Sequence, residues 1–179
     1  MHKNSIVILD FGSQYNQLIA RRIREAGVYA EIVPYFMELD KIKEMEPKGI
    51  ILSGGPASVY AENAPTINKE IFELGIPVLG ICYGMQLTSY LLGGEVLRAD
   101  KQEFGKAELI VDAKSHEIFT DIPEKSQVWM SHADHVTKLP ENFVKIGHTD
   151  SSIAVIANLE KEIFAVQFHP EVTHSIYGA

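Results

Sequence analysis

Short apolar runs rich in Val and Ile, alternating with helical patterns through the first half of the chain, limit the possible folds most strongly. Ser5 to Leu9 reads as a buried strand, followed by a turn at Gly12 and Ser13. Residues 15–26 read as a helix, with Leu18, Ile19, Ile23 and Ala26 on one face and Arg21, Arg22 and Arg24 largely on the other. Gly27 stands where a helix-ending glycine belongs. Ala30 to Val33 is a second strand, ended by Pro34, and 38–45 a short helix closed by Pro47. Gly49 to Leu52 is a third strand, running into the loop Ser53-Gly54-Gly55-Pro56. A helix over 65–74 places Pro65 in its first turn. Pro77 to Ile81 is a fourth strand, and 84–92 a helix ending at Gly93-Gly94. Strand and helix periods that alternate in this way predict an α/β fold: a three-layer, doubly wound, mostly parallel sheet with helices on both faces. The second half is richer in strands, near 95–99, 107–111, 127–131, 143–148, 153–158 and 163–168. With no repeat, low-complexity tract or linker in view, residues 1–179 read as a single domain.

The chain's 179 residues suffice for one full hydrophobic core. Its 16 Lys+Arg against 24 Asp+Glu give a net charge of −8, which argues against nucleic acid and anionic membrane as partners. No segment is long and apolar enough to span a bilayer, and Asp10 interrupts the first apolar run too early for a secretion signal. The single cysteine excludes an internal disulfide framework and fits a reducing compartment, so a cytoplasmic location is expected.

Ligands of doubly wound sheets bind beyond the carboxyl ends of the strands. Ser53, Cys82 and His169 each directly follow a predicted strand. Gly80-Ile81-Cys82-Tyr83-Gly84 has the form G-x-C-x-G between strand and helix, a nucleophile elbow with Cys in place of Ser. Such a corner crowds the backbone on both sides, which calls for glycine, and turns the sulfur out above the sheet. It also sets Cys82 at a helix N-terminus, where unpaired N–H groups and the dipole favour an anionic sulfur. A buried structural cysteine is the alternative. Phe168-His169-Pro170-Glu171 follows the apolar run Ile163 to Phe168, so His169 is expected at the same edge as Cys82, with Glu171 holding one ring nitrogen. The Tyr83 backbone N–H and the Gly54-Gly55 loop are candidate oxyanion donors.

LGICYGMQ, LSGGPASVY, MSHADHV and QFHPEVTHS together resemble the class I glutamine amidotransferases. With ILDFGSQYNQLIARRIRE and EFGKAEL, the resemblance narrows to the amidotransferase domain of the GMP synthetase branch and runs over nearly the whole chain. It implies that Cys82 attacks the carboxamide of glutamine to leave a glutamyl thioester, with His169 as acid and base and Glu171 as its orienter. It implies oxyanion N–H groups from Gly55 and Tyr83, and glutamine binding by Gln86 and by a Ser131-His132-Ala133-Asp134 loop with Asp134 near the α-ammonium. In complete members, an ATP pyrophosphatase domain adenylylates xanthosine 5′-monophosphate (XMP), and ammonia displaces AMP to give GMP. The resemblance therefore implies that this chain is the N-terminal part of a longer enzyme, with a separate glutaminase subunit that serves a synthetase chain as the alternative. ATP and Mg are expected only in the synthetase domain, and no cofactor in this one. Ser53-Gly54-Gly55 does not complete a pyrophosphate loop, because Ala57 stands at the Asp position.

His132, Asp134 and His135 are close in sequence, but zinc needs further ligands at recognisable spacing, so no metal site is expected. Two other functions stay open from the sequence: a Cys hydrolase acting on an ester or peptide, and a binding module that kept the fold without the chemistry.

Overall fold

The computed structural model describes residues 5–12, 16–55, 66–111, 125–149 and 153–168, with 98–106, 111 and 125–133 described as backbone. The described elements run β1 (Ser5–Asp10), α1 (Asn16–Glu25), β2 (Tyr29–Pro34), α2 (Leu39–Glu44), β3 (Gly49–Leu52), a 3₁₀ helix (Lys69–Glu73), β4 (Val78–Ile81), α3 (Tyr83–Leu91), β5 (Glu95–Val111), β6 (Lys125–Lys138), β7 (Val144–His148), β8 (Ile153–Asn158) and β9 (Ile163–Val166). These strands form one sheet in the order β2-β1-β3-β4-β9-β8-β7-β5-β6. β1, β2, β3, β4 and β9 are parallel, and every other pairing is antiparallel. β9, last in the chain among these, lies at the middle of the nine.

Side chains on a strand point alternately to its two faces, and the buried residues divide accordingly. Val7, Leu9, Ile50, Leu52 and Val78 cluster with Ile42 of α2, Ile71 and Phe72 of the 3₁₀ helix, and Met85 and Leu87 of α3. Ile8, Ile51, Ile81 and Val166 cluster with Ile19 and Ala20 of α1 on the opposite face. The fold is therefore the expected three-layer doubly wound one. Each fully buried Leu or Ile contributes about 1.5–3 kcal/mol relative to exposure, so both faces hold the sheet.

Three local expectations are corrected. The helix expected over 65–74 is, in its described part, a 3₁₀ helix over Lys69–Glu73; Asn68 Oδ1 accepts from Glu70 N–H at 3.0 Å at its start, and Gly75 at φ 75° follows its end. The strands expected at 95–99 and 107–111 are one strand, β5, which pairs along β6 with a register shift between Arg98 and Glu103. Ser131-His132-Ala133-Asp134, expected as a loop, lies inside β6: Ser131 pairs with Phe104, His132 with Glu103 and Asp134 with Arg98. Main-chain hydrogen bonding does not depend on side-chain polarity, so pairing carries the strand through this polar stretch. Among the described residues no helix is long and apolar enough to cross a membrane.

Candidate active site

The chain reaches β2 from β1 on one side, then crosses to β3 and β4 on the other, which makes the carboxyl edge near β1 and β3 the crevice of the sheet. At that edge Ser53, wholly buried, ties the two strand ends together. Its Oγ accepts from Phe11 N–H at 3.2 Å and donates to the Gly54 carbonyl at 3.2 Å. Asp10 Oδ1 closes the turn after β1, accepting from Gly12 N–H at 2.7 Å and from the Asn16 side-chain amide. Gly55 is pressed onto this turn, since a Cβ there would lie 2.3 Å from the Phe11 carbonyl oxygen.

Cys82 occupies the corner between β4 and α3 with φ 53° and ψ −105°, a positive-φ backbone conformation that L residues rarely adopt. Such a conformation costs on the order of 1–3 kcal/mol and persists only where its surroundings impose it. Here they do. Cys82 N–H donates to the Val166 carbonyl at 2.8 Å, and the Cys82 carbonyl accepts from Met85 and Gln86 N–H at 3.0 and 3.2 Å. The flanking glycines let α3 descend onto the sheet. A Cβ on Gly80 would lie 2.7 Å from the Gly84 carbonyl oxygen, and one on Gly84 would lie 2.2 Å from that of Leu52. The G-x-C-x-G spacing is thus a packing requirement on both sides of the sulfur.

The sulfur is less open than the elbow pattern suggests. Cys82 is only 4% exposed, within the apolar cluster that includes Ile51, Ile81 and Val166, and Gln167 Nε2 stands 3.6 Å from its Sγ. An apolar wall and an amide lie beside it, where the sequence alone would leave it open. Tyr83 sends its ring into the other face, 5.5 Å from the Phe11 ring, which in turn stacks on Tyr35 at 5.7 Å. Burial, and secondarily the neighbouring Tyr35, push the Tyr83 phenol up to about 12.

Gln86 is buried one turn along α3, and its Nε2 donates to the Asp134 carbonyl at 3.0 Å, joining α3 to β6. The structure thus brings Cys82, Tyr83, Gln86 and the Asp134 main chain together, with Gly55 at the end of the neighbouring strand β3. Ser131 and His132 are placed by their β6 backbone. His169 and Glu171 lie outside the described residues. The strand that leads to 169 is paired in parallel with the strand that leads to Cys82, Ile81 opposite Val166. Gln167, wholly buried, is the site residue that the sequence reading missed. Its signal was a polar side chain continuing an apolar strand at a core-facing position.

The family model for class-I glutamine amidotransferases matches residues 7–179. The chain belongs to the class-I glutamine amidotransferase family. The amidotransferase chain is 65% identical over 178 residues to the GMP synthase [glutamine-hydrolyzing] of Fusobacterium nucleatum, covering 99% of this chain and 35% of that protein. It is 60% identical to the protein of the same name from Spiroplasma kunkelii, covering 98% of this chain and 34% of that one. The amidotransferase chain spans about a third of the length of these relatives. A candidate GMP synthase component from Thermoplasma acidophilum superposes with TM-score 0.82 at 29% identity, covering 99% of this chain and 89% of that one. A glutamine amidotransferase from Thermotoga maritima shares the fold, with TM-score 0.78 at 21% identity and coverage of 96% and 78%.

Proposed function

We propose that this amidotransferase hydrolyses glutamine to glutamate and ammonia through Cys82, His169 and Glu171, and that the ammonia serves the ATP-dependent amination of XMP to GMP. The observation that carries the reading is the conformation of Cys82, a non-glycine residue at φ 53° where β4 meets α3. Strain of this kind, imposed by surrounding structure, is the mark of a nucleophile elbow.

In this reading His169 takes the thiol proton of Cys82 as Sγ attacks the carboxamide carbon, and the C–N bond breaks as His169 passes that proton to the departing nitrogen. Gly55 and Tyr83 N–H groups hold the oxyanion. His169 then takes a proton from water, whose oxygen attacks the thioester; the C–S bond breaks, glutamate leaves, and the sulfur regains its proton. Glu171 keeps the imidazole in one tautomer and stabilises its charged form. Gln86, Ser131, His132 and Asp134 are assigned to glutamine. Gln86 already holds β6 by its amide nitrogen, so its part is to set the position of Asp134 relative to Cys82. The ammonia acceptor is assigned to an ATP pyrophosphatase region, which also takes ATP and Mg, and the names and greater length of the relatives support that partnership.

Cys82→Ala is expected to abolish ammonia release while glutamine still binds, measured by coupled ammonia assay and calorimetry. An electrophilic glutamine analogue is expected to label Cys82, read by mass spectrometry. Unchanged turnover in Cys82→Ala rejects the assignment, and turnover of generic esters with none of glutamine favours a different hydrolase.

A further inference from the structure

A directed line of amides ends at the Cys82 sulfur. The Asp134 carbonyl in β6 accepts from Gln86 Nε2 at 3.0 Å, the same nitrogen lies 3.4 Å from Gln167 Oε1, and Gln167 Nε2 lies 3.6 Å from Cys82 Sγ. A main-chain carbonyl can only accept, so it obliges Gln86 to present nitrogen toward β6. An amide nitrogen has two hydrogens, and the second one suits an oxygen, which fixes the Gln167 Oε1 side. The Gln167 amide then has only its nitrogen to turn toward the sulfur. Gln167 is wholly buried and Gln86 is 4% exposed, so water does not compete readily for these groups, and reversing either amide would oppose like poles.

We propose that Gln86 and Gln167 form a polarity relay, anchored on the Asp134 carbonyl, that holds an N–H donor against Cys82 Sγ. Gln167 is thereby a positioning residue for the nucleophile. The proposal rests on the reading of Cys82 as nucleophile. A donor N–H favours an anionic sulfur over a neutral one, and in a site with little water that preference is strengthened. The relay also couples the sulfur to β6, the strand assigned to grip glutamine, so a shift of Asp134 is passed to the sulfur through three hydrogen bonds.

The chain has one cysteine, so alkylation by iodoacetamide reads Cys82 without recourse to turnover. Among the described side chains, the elements packed together here bring Tyr83 and Tyr90 on α3, Glu95 and Glu108 on β5, and Asp134, His135 and Lys138 on β6. All of these stay constant in the variants below. In Gln167→Met the pH midpoint of alkylation is expected to rise by about one unit, slowing alkylation about ten-fold at a fixed pH below it. Gln167→Glu, which keeps the shape but sets a negative charge beside the sulfur, moves the midpoint further upward. Gln86→Met produces a smaller rise, because the Gln167 amide then loses the partner that fixes its orientation. A folded Gln167→Met protein, judged by near-ultraviolet circular dichroism, whose alkylation profile superimposes on that of the parent overturns the relay. If that variant does not fold, an unchanged profile in Gln86→Met does so. Ammonia release that survives in Cys82→Ala defeats the nucleophile reading instead, and leaves the alkylation result to stand on its own.

Discussion

The parallel strands β1, β2, β3, β4 and β9 pair without a slip, whereas the antiparallel strands slip twice between β5 and β6 and twice between β7 and β8. Among the described residues, the long β5–β6 ribbon meets the rest of the sheet over two strand-paired positions, Ile110 with His148 and Val111 with Gly147. Its other end is held by side chains: Val96 and Val136 join the apolar cluster around α3, and Gln86 reaches the Asp134 carbonyl. The parallel half is thus fixed by backbone crowding and continuous layers, and the ribbon by a few separate links. The difference matters because the nucleophile corner belongs to the first region and the residues assigned to glutamine largely to the second. The corner proposed for attack is built rigidly, while the proposed substrate grip hangs on contacts that single substitutions remove.

Substitutions in the parallel half are expected to have the largest effects. Gly84→Val drives a Cβ into the Leu52 carbonyl, 2.2 Å away, and is expected to cost at least about 3 kcal/mol, read by chemical denaturation. A cost near zero would mean that α3 can lift off β3, and the contrast between the halves would fail. Tyr83 gives a pH test of the same region. Its folded-state value is raised from 10.0 to about 12, so its contribution is complete below pH 10 and is lost as pH rises toward 12, where the unfolded chain releases the proton first. That loss is roughly 2–3 kcal/mol, and the excess slope of stability against pH is expected to vanish in Tyr83→Phe. On the ribbon side, Gln86→Leu leaves the Asp134 carbonyl without its amide and is expected to cost about 1–3 kcal/mol. Amide hydrogen exchange should quicken along β6 near Asp134 while β1 and β3 stay protected. Equal quickening in β1 and β3 would show that the ribbon is no more loosely tied than the rest. The smallest effect is expected at the exposed ion pair of Lys161 and Glu73, 2.5 Å apart, where Lys161→Ala should change stability by about 0.5 kcal/mol or less.

The same contrast governs what could be read from the sequence. Strands of the parallel half are bounded by Gly, Pro and helical periods, so Gly49–Leu52 falls where expected and β1, β2 and β4 fall within a residue or so. The corner at Cys82 was legible because Gly80 and Gly84 record a steric demand in the residue types themselves. The ribbon was legible only in pieces. Polar residues such as Glu103 in β5 and Ser131, His132 and Asp134 in β6 show no alternation, and what holds them extended is pairing with a distant strand. Gln167 escaped notice for a related reason: its partners Gln86 and Cys82 are 81 and 85 residues away in sequence, and no local pattern encodes them.

The middle position of β9 has a consequence for how the molecule comes into being. Until residues 163–166 have been synthesised, β4 and β8 have no strand between them and Cys82 N–H has no Val166 carbonyl to meet. A nascent chain can gather its first four strands but cannot join them to the later ones. Maturation of the thiol's surroundings is thereby deferred until this late segment emerges, and loss of this one short stretch would part the sheet at its midline.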